Sequence, residues 1–246
     1  MQTFYFTDAG KVRSHNEDNV TIISNDNNEF ILAVADGMGG HRAGEVASGI
    51  AIDKVCEEFY KVDTLGTKED AIDFMRRLVQ VISKSIFAYT KEHPESKGMG
   101  TTLVIAIKTD DYILYGNIGD SSGYVLKNEE LYKVTRDHTL VNLLVSTGEL
   151  TEEEAKYHPR KNVLMRALGA NDPIDIDIFD VDTSVNGLFL CSDGLTNMLT
   201  DEQIVKILNS DLSIEEAVVK LIRKCNSRGG TDNVSIAYLK KEIGDL

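Results

Sequence analysis

Apolar residues along this chain switch between two periods. The runs 2–8, 18–24 and 30–35 are dense in aromatic and β-branched residues and predict strands. Between 43 and 60 the period lengthens, and Ala47, Ile50, Ala51, Val55 and Phe59 fall on one helical face. Over 68–90, Ile72, Met75, Val79, Ile82, Ile86 and Tyr89 do the same. Their spacing approaches that of a coiled coil, but the stretch is too short to sustain one. Strand-like patterning returns at 101–107, 111–118 and 121–126, with a tight turn at Thr109-Asp110-Asp111, and Leu188-Phe189-Leu190 reads as a core strand. Thr200-x-x-Gln203 and Ser213-x-x-Glu216 are capping-box signatures for two further helices. The second of these carries Ile214, Ala217, Val218, Leu221, Ile222 and Cys225 on its buried side, and a last strand is predicted over 233–239.

Strands thus come in hairpin-like groups and helices in pairs. Strict strand–helix alternation is missing, which argues against a doubly wound parallel sheet. The expected fold is α+β: a four-layer α-β-β-α sandwich of two mainly antiparallel sheets covered by helix pairs. No repeat or linker interrupts the chain, so residues 1–246 are expected to form one domain. The segment 139–166 stands apart, with helical stretches at Thr139–Thr147 and Thr151–Tyr157 followed by His158-Pro159-Arg160. It is a candidate flap over the sheet, or a plain surface excursion.

Composition narrows the function classes. Apolar and charged fractions of 42% and 27% are those of an ordinary globular protein. No stretch approaches the ~18 apolar residues of a membrane span, and the first residues lack the pattern of a signal peptide. A cytoplasmic protein without a membrane partner is expected. The three cysteines, without CxxC spacing, read as small buried hydrophobes. A formal charge of −14 argues against a nucleic-acid partner. An acidic protein acting on phosphate needs metal ions or a placed arginine to overcome repulsion.

Candidate chemistry concentrates at strand ends. Asp36, Asp193 and Asp232 each stand at the end of an apolar run beside a glycine or an asparagine, and Asp120 follows Asn117-Ile118-Gly119. One such aspartate is ordinarily a turn residue. Four together point to a multi-carboxylate centre for a hard cation, Mg2+ or Mn2+. Near the N-terminus, Arg13 offers a planar cation able to grip two phosphate oxygens. Glu17 and Asp18 add carboxylates able to orient water.

Arg13-x-x-Asn16-Glu17-Asp18, Asp36-Gly37-Met38-Gly39-Gly40-His41, Gly100-Thr101-Thr102, Asn117-Ile118-Gly119-Asp120-Ser121, Arg166-Ala167-Leu168-Gly169, Ser192-Asp193-Gly194 and Gly230-Thr231-Asp232-Asn233 resemble, in order, the motifs of the metal-dependent protein phosphatases, the protein phosphatase 2C family. Each motif is weak alone, but the ordered set is specific and spans nearly the whole chain. The compact length and Met38 resemble the stand-alone bacterial branch. The resemblance implies a protein serine/threonine phosphatase in which a water bridging two divalent metals, Mn2+ or Mg2+, attacks phosphorus. It further implies that Asp36 bridges both ions, that the Gly37 carbonyl joins the first, and that Asp193 and Asp232 complete the second. Asp120 with Asp193 would hold a third ion, Arg13 would bind phosphate, and Glu17 and Asp18 would act through water and hydrogen bonds. Phosphorylated proteins, a cognate Ser/Thr kinase and a monomeric state are implied as well. The alternatives are a catalytically weak regulatory or scaffold member of the same fold, or a hydrolase of small phosphoesters.

Two positions depart from the family. Met38 stands where many eukaryotic relatives have a proton-donating His, which leaves metal-bound water or His41 as candidates. Ser122 replaces an Arg that commonly follows Gly-Asp-Ser, which puts the anchoring of the Asp120 loop in question. His138 matches a family Asp-His pair, for which a structural role is expected.

Overall fold

The computed structural model describes residues 1–40, 42–170 and 173–241. In chain order the strands are β1 (Gln2–Asp8), β2 (Asp18–Ser24), β3 (Phe30–Met38), β4 (Gly100–Thr101), β5 (Leu103–Lys108), β6 (Ile113–Ile118), β7 (Ser122–Lys127), β8 (Glu130–Lys133), β9 (Asp177–Val181), β10 (Gly187–Cys191) and β11 (Val234–Lys240). The helices are α1 (Ala43–Phe59), α2 (Lys68–Glu92), α3 (Leu140–Ser146), α4 (Glu152–Tyr157), α5 (Asp193–Thr196), α6 (Asp201–Leu208) and α7 (Ile214–Ser227). One antiparallel sheet runs β1-β11-β10-β7-β8 and the other β2-β3-β5-β6-β9, with β4 paired to the end of β3.

The central strands are apolar without alternation because both of their faces are covered. Ile31, Ala33 and Ala35 of β3 pack under α1 and α2, while Leu32 and Val34 meet the other sheet. In β10, Leu188 and Leu190 face between the sheets, and Phe189 and Cys191 face α6 and α7. Three apolar layers therefore separate four layers of structure, as the α-β-β-α expectation requires. Burying each large side chain contributes ~1.5–3 kcal/mol, so packing outweighs the modest propensity of these strands.

Of the two expected capping boxes, one forms. Ser213 and Glu216 form a reciprocal capping box at α7. Thr200 precedes α6 but its side chain makes no cap bond to the backbone, so the expected capping box is absent there. The predicted strand 101–107 is divided at Thr102, because Thr101 turns to pair with both Gly37 and Leu168. Strands β8 and β9 had no sequence signal. β8 is mostly exposed and β9 is half-buried, and both lie at sheet edges where a strong apolar alternation is not required.

The segment 139–166 folds as α3 and α4, capped by Thr139 and Thr151. Its two ends meet in a short neck, where the Leu140 N–H donates to the Val163 carbonyl and the Met165 N–H to that of His138.

Candidate active site

The predicted site residues meet at one end of the sandwich. Arg13, Glu17, Asp36, Gly37, Asp120, Asp193 and Asp232 line a common cleft of about 460 Å³. Asp18 is not on its surface. It pairs with Asp36 across the β2–β3 ladder and is buried, where its Oδ2 accepts the Ser192 hydroxyl at 2.7 Å.

Each element contributes its acid by local chemistry. Asp36 is fixed through its backbone: its N–H donates to Thr102 Oγ1 at 2.9 Å, and its carbonyl accepts the Thr102 N–H at 2.9 Å. Gly37 follows because a Cβ there would lie 2.1 Å from the Gly44 carbonyl oxygen, so only glycine lets α1 approach the end of β3. The Asp120 turn needs φ +105° at Gly119, a conformation glycine adopts without penalty. That turn is anchored without the family's arginine at position 122. His138 Nδ1 accepts the Gly119 N–H at 3.1 Å, and Ser121 and Thr102 share a hydroxyl bond of 2.8 Å.

Asn233 joins the remaining two loops. Its amide donates to the carbonyls of Ala9 and His15, both at 2.9 Å, and its oxygen accepts the Glu17 N–H at 2.9 Å. The loop bearing Arg13 and Glu17 is thereby tied to the loop bearing Asp232. Arg13 Nη2 then donates to Asp232 Oδ2 at 2.9 Å.

Burial, compounded by crowding, dominates the electrostatics. Burial, and then the charges of Asp18, Asp193 and Asp120, push the Asp36 carboxyl well above the usual carboxylate range. Burial pushes Asp18 up to about 7, against the pull of its serine partners. Burial and then the charge of Asp193 push Asp120 up to about 7. Asp193 is raised by burial and then by the charge of Asp232. Glu17 is raised by burial, opposed by Arg13.

The donor set is all oxygen, which suits Mg2+ or Mn2+. Among the described residues, no group of three or more His, Cys, Asp or Glu is arranged as a metal-binding set. Asp232 is engaged by Arg13, and Asp193 Oδ2 accepts from Asn197 at 3.0 Å. The residues nonetheless fit a cation: buried like charges converge, and Glu17 Oε1 and Asp18 Oδ1 have no hydrogen-bond partner among the described residues.

A family profile described as protein phosphatase 2C matches residues 9–233. The chain belongs to the protein phosphatase 2C family. It is 41% identical over 244 residues to the serine/threonine phosphatase stp of Listeria monocytogenes, covering 99% of this chain and 97% of that one. It is 36% identical to the protein phosphatase PhpP of Streptococcus pneumoniae, covering 100% and 99%. The solved serine/threonine phosphatase of S. agalactiae superposes with a TM-score of 0.92 at 33% identity, covering 98% of this chain and 99% of that one.

Several residues of this phosphatase-family cleft escaped the sequence reading. Asn162, Leu164 and Met165 enter its wall from the 139–166 segment. They stand just before the Arg166-Ala167-Leu168-Gly169 motif but carry no chemistry that marks them, so only the closed neck reveals them. Thr102 and Ser192 lay inside quoted motifs, but their bonds to Asp36 and Asp18 depend on tertiary contacts. Met38 lines the cleft, while His41 lies outside the described residues. His138 does not line it and supports the Asp120 turn instead. Cys191 is fully buried against α6 and α7, its thiol pushed up by burial, and faces away from the cleft.

Proposed function

We propose that residues 1–246 act as one catalytic domain that hydrolyses phosphoserine and phosphothreonine in proteins. The observation that carries this reading is a half-exposed arginine at the rim of a cleft floored by converging carboxylates. Asp36, Asp193, Asp232 and the Gly37 carbonyl would hold two Mn2+ or Mg2+ ions, and Asp120 with Asp193 a third. Bound there, divalent cations supply Lewis acidity and a water nucleophile of lowered pKa at neutral pH.

The chain's own residues do the rest. Arg13 leaves Asp232 and grips two equatorial oxygens of the phosphoryl group, where charge spreads in the transition state. Glu17 and Asp18, each with an unpartnered oxygen, accept hydrogen bonds from ordered water around the site. Asn233 holds the Arg13 and Asp232 loops at a fixed separation, so only the Arg13 side chain has to move. Met38 carries no titratable proton, so the leaving alkoxide takes its proton from another group.

The described residues include no helix long and apolar enough to cross a membrane. The three free cysteines, buried or half-buried, suit a reducing compartment, and we place the protein in the cytoplasm as a monomer. Its substrates would be written by a Ser/Thr kinase.

Release of phosphate from a phosphothreonine peptide tests the reading. Turnover is expected with Mn2+ and is expected to vanish in excess EDTA or in Asp193→Ala. Robust turnover in EDTA would overturn the metal-assisted mechanism, and none with Mn2+ would leave only a scaffold role.

A further inference from the structure

The gap between the two sheets is apolar along most of its length, filled by Leu32, Val34, Val104, Leu188 and Leu190. At the end that carries the acidic cleft it turns polar, and five residues there close a ring of hydrogen bonds. Ser192 Oγ donates to Asp18 Oδ2 at 2.7 Å and accepts the Ser235 N–H at 2.9 Å. The Ser235 hydroxyl donates to Thr7 Oγ1 at 2.7 Å, and Asn16 Nδ2 donates to the same oxygen at 2.8 Å. The Asp18 N–H then donates to Asn16 Oδ1 at 3.2 Å and completes the circuit.

The ring spans both sheets. Thr7 lies on β1 and Ser235 on β11 of one sheet, Ser192 follows β10 of the same sheet, and Asp18 opens β2 of the other. The Ser192 N–H also donates to the Ser235 carbonyl at 3.1 Å, which carries the β10–β11 pairing one residue past Cys191. With its backbone fixed in this way, Ser192 reaches across to the other sheet through its hydroxyl. Ser192 and Ser235 are fully buried and Asp18 nearly so. Burying polar groups where leucine and valine could fill the gap costs stability unless each is paired. Asp18 is paired at one oxygen only: its Oδ1 has no hydrogen-bond partner among the described residues. A network that served only to hold the sheets together would have no use for that open oxygen. Asp18 stands opposite Asp36 on the β2–β3 ladder, and Asp36 lines the cleft.

We infer that Ser192 is a positioning residue: by holding Asp18 Oδ2 it fixes the rotation of that carboxyl and reserves Oδ1 for the metal site. The inference rests on the metal-site reading above. A carboxyl turns about its Cβ–Cγ bond within broad, roughly two-fold wells. A donor on one oxygen removes that freedom and decides which oxygen is left over. Ser235, Thr7 and Asn16 act one step further back, by holding the Ser192 hydroxyl and the Asp18 backbone in place. Groups that orient another group at a metal site set its affinity without touching the ion.

Calorimetric titration with Mn2+ reads the effect without any turnover. Ser192→Ala is expected to raise the apparent Kd for Mn2+ roughly tenfold, the lower end of what partners behind a metal ligand contribute. In an Asp18→Ala background the same substitution is expected to leave Kd nearly unchanged, because Ser192 acts through that carboxyl. A hydroxyl that only helps packing would lower the metal-free melting temperature and leave Kd where it was, and that result overturns the inference. So does a loss of affinity that persists undiminished in Asp18→Ala. Thr7→Val removes a ring hydroxyl at a half-buried position and gives the answer if Ser192→Ala does not fold. Weaker Mn2+ binding is expected there, by a smaller factor than in Ser192→Ala, and an unchanged Kd overturns the ring. No Mn2+ binding by the wild-type protein overturns the metal-site reading and this inference with it. Wild-type binding that Ser192→Ala leaves intact sinks the inference alone.

Discussion

Arg13 reaches Asp232 across 2.9 Å while its own side chain is half exposed. A pair this wet contributes ~0–1 kcal/mol to stability, so the contact does not hold the fold together. What it does is park a planar cation where a phosphate monoester arrives. A phosphoryl group offers two oxygens to the guanidinium fork, whereas Asp232 accepts through one, and bidentate geometry adds both strength and orientation. Arg13→Ala is therefore expected to lower kcat/KM on a phosphothreonine peptide by ~10²-fold with little change in melting temperature. Arg13→Lys is expected to recover only part, because an ammonium cannot reproduce the fork. Steady-state kinetics beside a thermal melt separate the two effects. An undiminished kcat/KM in Arg13→Ala would show that phosphate is gripped elsewhere.

At the scale of elements, the neck of the 139–166 segment is fastened to the Asp120 turn by one imidazole. The Gly119 N–H donates to His138 Nδ1, which fixes the tautomer, so Nε2 carries the proton and donates to Asp177 Oδ2 at 3.0 Å. Arg166 Nη1 bonds the other Asp177 oxygen at 2.7 Å. Burial holds His138 below the ordinary histidine range, opposed by the bond and charge of Asp177 and reinforced by Arg166. A depressed folded pKa means stability that is complete above the unfolded value of ~6.5 and is lost as pH falls through the folded value. His138→Ala is expected to cost ~1–3 kcal/mol at pH 8, as an orphaned buried N–H does, and less at pH 5. Urea midpoints at the two pH values check this, and an equal penalty at both would separate His138 from the titration. A structural role for His138 was expected, but its partners were not readable beforehand. His138 and Asp177 lie 39 residues apart, and nothing local marks Asp177 as its partner. The strand-end aspartates were readable because a carboxylate beside glycine after an apolar run is a local pattern, and strands such as β3, apolar on both faces, announce themselves. β8 and β9 do not, since an edge strand can be half wet and carry acids. The Thr200 signature misled for a related reason: its residue types suit a box, but its side chain makes no cap bond.

For the whole molecule, the fold is assembled around a cluster of like charges that packing alone would disperse. Asp36 stands among Asp18, Asp193, Asp120 and Asp232, in a chain already at −14. Hydrophobic layers on both faces of β3 hold it there, so like charges are forced together, and a bound cation is expected to relieve them. Mn2+ at a hundredfold excess over its Kd should add ~2.7 kcal/mol. For a chain of this size each kcal/mol moves the midpoint by ~2–4 °C, so the expected rise is ~5–10 °C. Asp36→Asn separates crowding from binding. Removing one buried charge should raise the melting temperature of the metal-free protein and, by deleting a ligand, erase the Mn2+ shift. Differential scanning of both proteins with and without Mn2+ reads all four values. A variant that melts lower than wild type without metal would show that Asp36 is not the strained group, and one that keeps the Mn2+ shift that it is not a ligand. The opposite pairing, greater stability with lost activity, would place the cost of function in the same carboxylate that the two sheets bring to the cleft.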